Sequence, residues 1–137
     1  MREMKYGKPV TELLDIDWYD DGMAYAVVNT RGSHPCAYIQ FPGIEKVKDY
    51  DSFFIYEDID DIDDFECCIH GGFTFFGRLD NLGLPGIWIG WDYAHFGDYT
   101  GYGLGHTDEK RWTTDEVATH ARKALEYIRK GEYEIVE

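Results

Sequence analysis

The apolar positions along this chain fall mostly into short runs of β-forming residues, followed near the end by one helical stripe. "MAYAVVNTRG" is rich in β-formers and predicts a strand entered through the turn "YDDG". "HPCAYIQFPG" follows after a short break and is bounded by Pro35 and by Pro42-Gly43, so a hairpin with the preceding strand is expected. "FECCIH" and "FTFFG" flank His70-Gly71-Gly72 and predict two strands, or one strand bent at the glycines. "NLGLPG" is expected as a loop and "IWIGWD" as a buried strand, while "VTELLDI" fits either a helical turn or a first strand. "YTGYGLGHTDEK" is a Gly-rich loop.

The last element has the clearest pattern. Val117, Ala121, Ala124, Leu125 and Ile128 share one helical face. Thr113 and Glu116 have the spacing of a capping box, with Trp112 and Val117 placed as a hydrophobic staple. Gly131 is a natural stop, so a helix is expected over roughly 113–130, with "YEIV" as a final short strand. The fold class that follows is α+β: a twisted, mainly antiparallel sheet of about four to six strands with the C-terminal amphipathic helix packed across it. Neither a repeat nor a linker breaks the pattern, so residues 1–137 are expected to form a single domain.

Composition narrows the functional classes. The 11 Tyr, 8 Phe and 4 Trp can fill a core and also line pockets or interfaces. The formal net charge of -14 argues against direct contact with nucleic acid or with anionic membrane surfaces, and favours a basic protein surface as partner. Solubility is the competing explanation of the charge. Much of the charge lies between Lys48 and Glu66, where Asp58, Asp60, Asp61, Asp63 and Asp64 alternate with Ile59 and Ile62. A turn of helix fits Ile59, Ile62 and Phe65. The segment lacks the Gly and Glu positions of an EF-hand, so it is expected to be a solvated acidic face and a candidate protein-binding surface.

Cys67 and Cys68 are neighbours that would point to opposite faces of a strand, and with Cys36 they match no zinc-finger spacing. Three reduced thiols suit a cytoplasmic setting, and no apolar stretch is long enough to cross a bilayer. No cofactor is expected.

The candidate chemistry lies where two apolar runs end. "WDYAHFGD" places Asp92, His95 and Asp98 at three-residue steps, close to Trp91 and Tyr99. A histidine fixed by a carboxylate can move protons near neutral pH. Upstream, the backbone of His70-Gly71-Gly72 could approach a ligand closely. His70, Gly71, Gly72, Trp91, Asp92, His95 and Tyr99 are therefore the candidate ligand pocket, and Asp92, His95 and Asp98 are weak metal candidates that match no defined motif. Turn chemistry accounts for the same residues: Asp92 could cap a turn and Gly97 could adopt a positive φ. His34 is expected in a turn and His120 at a surface or edge of the helix.

The two blocks His70-Gly71-Gly72-Phe73-Thr74 and Gly90-Trp91-Asp92-Tyr93-Ala94-His95-Phe96-Gly97-Asp98, with the earlier "RGSHPCAYIQFPG", resemble a family of uncharacterised proteins from bacteria, phages and prophages. The likeness spans roughly residues 25–130. The family pattern has Cys where this chain has Tyr93 and Ala where it has Phe96, and its His-Pro-Leu block is replaced here by "GIEKVKDYD". The resemblance implies a mobile-element context, in which small proteins often bind host factors. The leading expectation is an acidic, non-enzymatic binding protein that engages a basic host protein of a defence or nucleic-acid-handling system. The alternative is a protein that binds, sequesters or hydrolyses a small nucleotide-like ligand in the His70/Asp92/His95 pocket. A structural phage component is the third reading, and the pattern leaves the oligomeric state open.

Overall fold

The computed structural model describes residues 12–30, 34–56, 72–93 and 112–136. It is a mainly antiparallel α+β structure with one helix packed across an open sheet. Among the described residues the strands are β1 (Glu12–Trp18), β2 (Ala24–Thr30), β3 (His34–Gln40), β4 (Phe53–Ile55), β5 (Phe75–Leu79), β6 (Leu84–Asp92) and β7 (Tyr133–Ile135), and the α-helix is α1 (Thr114–Arg129). Five of the strands form one sheet in the order β1-β2-β3-β6-β5, while β4 and β7 pair separately.

Strands β1 to β3 are a meander. The first turn is closed by Tyr19 N–H donating to the Met23 carbonyl, and the described part of "VTELLDI", from Glu12 onward, is a strand rather than a helical turn. His34, expected in a turn, is the first residue of β3 and sits across from Thr30. Strand β6 then lies between β3 and β5, pairing Ile39 with Ile89 on one side and Phe76 with Ile89 on the other. Both faces of β6 are covered, Ile89 and Trp91 in the main core and Trp88 in the cluster on the opposite side, which is why "IWIGW" is apolar throughout.

The expected loop "NLGLPG" is shorter than its composition suggests. Asp80–Leu82 make one 3-10 turn, and β6 already begins at Leu84, which is buried across from Leu79. The Trp88 indole and the Gln40 amide both donate to the Pro85 carbonyl, so side chains hold this start of the strand in place.

Alternation divides the sheet into two faces. Tyr25, Val27, Ala37, Ile39, Ile89, Trp91 and Tyr93 pack with Val117, Ala121, Ala124, Leu125 and Ile128 of α1 in the main core. On the far face Ala24, Ala26, Leu79, Leu84 and Trp88 form a second cluster, with Ile16, Tyr38, Phe75 and Leu82 against it. Gly90 is required between them: a Cβ there would stand 2.5 Å from the Ala37 carbonyl and 2.4 Å from the Tyr38 ring.

Helix α1 has the ends that its sequence encodes. The Thr113 side chain accepts from Glu116 N–H, and the Glu116 carboxylate accepts from Thr113 N–H at 2.9 Å. At the other end Gly131, at φ 79°, donates to Ile128, and Glu132 donates to Tyr127. That pair of bonds is a Schellman motif. The chain then enters β7, which pairs with β4 rather than with the main sheet. The acidic stretch 57–66, the run "FECCIH" and the Gly-rich loop lie outside the described residues.

Candidate functional site

Consecutive side chains at the end of β6 point to opposite faces of the sheet. Trp91 is 1% exposed and points into the core beneath α1. Asp92 points to the far face, opposite Cys36 of β3, with the Thr74 hydroxyl 3.4 Å from its carboxylate. Tyr93 returns to the core and is fully buried. Trp91 and Asp92 were expected to line one pocket; the two-residue period of the strand places them on opposite sides of the sheet, and Trp91 serves as core. Gly72 is exposed with φ 88°. His70, Gly71, His95, Asp98 and Tyr99 lie outside the described residues, as do Asp58, Asp60, Asp61, Asp63 and Asp64, so their expected convergence is not part of the described geometry.

The described side chains form a different polar arrangement. The Trp91 indole donates to the Tyr93 hydroxyl at 3.0 Å, and that oxygen lies 2.7 Å from Nδ1 of His120 on α1. The Tyr93 and His120 rings stack, with centroids 5.9 Å apart and planes 17° apart, and Trp112 packs against both. His120, expected at a surface or edge of the helix, is half-buried and joined to the sheet. Its partner is 27 positions away in sequence, so no local signal identifies it. The chain of contacts leads from the buried core to a half-buried imidazole, an arrangement that satisfies buried polar atoms.

On the far face Tyr38 lies near Cys36 and Asp92. Burial pushes its phenol well above the usual tyrosine range, and Cys36 and Asp92 add to the effect. Among the described residues no three His, Cys, Asp or Glu side chains are grouped so that they could hold a metal ion.

A third locus lies at β1, which ends the strand order of the main sheet among the described residues. Alternation, with one bulge at Leu14, gives β1 two unlike faces. Glu12, Asp15 and Asp17 stand across from Asn29, Val27 and Tyr25 on the helix side. Leu13, Ile16 and Trp18 stand across from Val28, Ala26 and Ala24 on the far side. Leu13, Leu14 and Trp18 are 38%, 40% and 49% exposed. The Trp18 ring is set edge-on against buried Trp88, with centroids 5.7 Å apart. Asp15 accepts from the Tyr25 hydroxyl at 2.9 Å, and Arg122 of α1 donates to the same hydroxyl at 3.1 Å. Burial and the Asp15 carboxylate push the Tyr25 phenol up to about 12. Asp21, in the turn after β1, accepts from Arg129 at 2.6 Å, which holds its carboxyl below the usual range.

Comparison of the chain with protein-family models, with curated proteins and with solved structures found no match. The functional reading therefore rests on the residues themselves. Sequence analysis missed the edge formed by β1, because "ELLDIDW" breaks strict alternation at Leu13-Leu14. The bulge restores the alternation, and it becomes visible once the register with β2 is known. No described helix is long and apolar enough to cross a membrane.

Proposed function

We propose that this chain is an acidic binding protein that engages a basic protein partner and carries out no catalysis. The observation that supports this reading is the formal net charge of -14, with 27 Asp and Glu against 13 Lys and Arg. In the described part, carboxylates on β1 and its turn (Glu12, Asp17, Asp20 and Asp21) lie on an exposed margin of the sheet. A surface of this kind raises the encounter rate with a cationic protein and repels nucleic acid and anionic membrane. In the mobile-element setting implied by the motif resemblance, the partner would be a host factor of a defence or nucleic-acid-handling system.

Affinity capture from a bacterial lysate at stepped salt concentration tests the reading. The expected result is retention of a basic protein at about 0.05 M salt, lost by about 0.3 M as the charges are screened. Replacing Asp60, Asp61, Asp63 and Asp64 with Asn should reduce capture without unfolding the chain. Retention that is insensitive to salt, or a retained small molecule with no protein, would favour the alternative of a small-ligand pocket at His70, Asp92 and His95.

A further inference from the structure

We infer that the outer edge of β1 is a docking edge for an extended segment of a basic partner protein, in which cationic and apolar residues alternate. The inference deepens the proposed function and rests on it: it names the surface and the form of the partner.

The first observation is position. β1 ends the strand order of the main sheet, and among the described residues no strand pairs with its outer side. That side can extend the sheet by one strand, the common mode of strand addition, with the Ile16 N–H passing to the added strand from the Asp15 carboxylate that accepts it at 2.9 Å. The second observation is the division of the faces. An added strand places its own side chains alternately on the two sides of the sheet. On the far side they would meet Leu13, Ile16 and Trp18; on the helix side they would meet Glu12, Asp15 and Asp17. Apolar residues suit the first row and Lys or Arg suits the second. Cross-strand pairs of these kinds are the favourable ones.

The third observation concerns Trp18. Half of its surface is exposed, yet the ring is held against Trp88, which is fully buried. An aromatic side chain anchored in this way loses little rotamer freedom on binding, which is why such residues dominate interface energies. The charge also selects among occupants. A second copy of the chain pairing edge to edge would set Glu12, Asp15 and Asp17 against the same carboxylates, and like charges across a strand pair are destabilising. A cationic strand reverses that sign.

The bulge at Leu14 limits the length of the pairing. An edge with an extra residue twists more and resists indiscriminate pairing along its whole length. The stretch after it, Asp15 to Trp18, remains regular, and the partner strand is expected to centre there.

The test uses the full-length protein, isotopically labelled, and two capped synthetic peptides of identical composition. One alternates Lys with Val; the other carries the same residues as a Lys block followed by a Val block. The alternating peptide should shift backbone amide resonances centred on Glu12–Trp18 and should bind about tenfold more tightly than the block peptide, because only the former satisfies both faces. The double charge reversal Glu12→Lys and Asp17→Lys should abolish that preference while circular dichroism remains that of the folded protein. Trp18→Ala should weaken binding as well; because it also exposes Trp88, the charge reversal remains the deciding variant.

Equal affinity for the two peptides, or shifts confined to other surfaces, would overturn the docking edge while leaving an acidic binding protein in place. No binding of either peptide, together with no salt-sensitive capture of a basic protein, would remove both proposals. Concentration-dependent dimerisation that protects β1 amides would assign the edge to self-association and overturn the inference.

Discussion

The hydroxyl of Tyr93 lies 2.7 Å from Nδ1 of His120, and the two rings stack at 17°. This contact joins the end of β6 to the middle of α1. The same hydroxyl accepts from the Trp91 indole N–H, and the Trp91 and Tyr93 side chains are both buried. Tyr93 is therefore both a core aromatic and the central atom of a short polar chain.

The Tyr93→Phe variant keeps the ring and removes that oxygen. Trp91 loses its acceptor, so the cost is expected at about 1–3 kcal/mol, the range for a buried polar group left unsatisfied. Urea unfolding of wild type and variant measures it. An unchanged midpoint would mean that the polar chain contributes nothing to stability.

At the start of α1, Thr113→Ala removes one half of the capping box. The expected loss is about 1 kcal/mol. A lower urea midpoint with an unchanged slope is the predicted signature, since the surface exposed on unfolding should not change.

Gly90→Ala tests the close approach of β3 and β6. The added methyl would meet the Ala37 carbonyl at 2.5 Å and the Tyr38 ring at 2.4 Å, and the first of these is backbone that cannot swing aside. A destabilisation of about 1–3 kcal/mol or more is expected. A variant that is as stable as wild type would show that β6 can shift away from β3 without cost.

The Asp15–Tyr25–Arg122 contact predicts an alkaline pH dependence. The Tyr25 phenol is raised from 10.0 to about 12 in the folded protein, first by burial and then by Asp15. A raised pKa means that the folded state holds the proton more tightly than the unfolded state. Its stabilising contribution is therefore complete below pH 10 and is lost as pH rises toward 12. In Tyr25→Phe this increment should vanish. Thermal unfolding of both proteins from pH 9 to 12 should show wild type falling more steeply; parallel curves would contradict the raised pKa.

The parts of this fold that the sequence determined are those governed by neighbours in the chain. The limits of α1 follow from a cap and a Schellman turn, whose bonds span three to five residues, so Thr113, Glu116 and Gly131 announce them. The strand character of β2, β3 and the core of β6 follows from local runs of β-branched and aromatic residues. Tertiary structure alone decided the remainder. It set β6 between β3 and β5, and thereby turned Trp91 and Tyr93 into the core and Asp92 away from them. It sent β7 to β4 instead of the main sheet. It gave His120 a partner 27 residues away, and it tied Tyr25 to Arg122 across 97 residues. It also turned "ELLDIDW", which has no clean period, into an edge with one acidic and one apolar face, because a bulge is defined by the strand opposite it. A periodic pattern specifies that an element has a buried face; which residues meet across that face depends on contacts whose closure the local sequence does not encode.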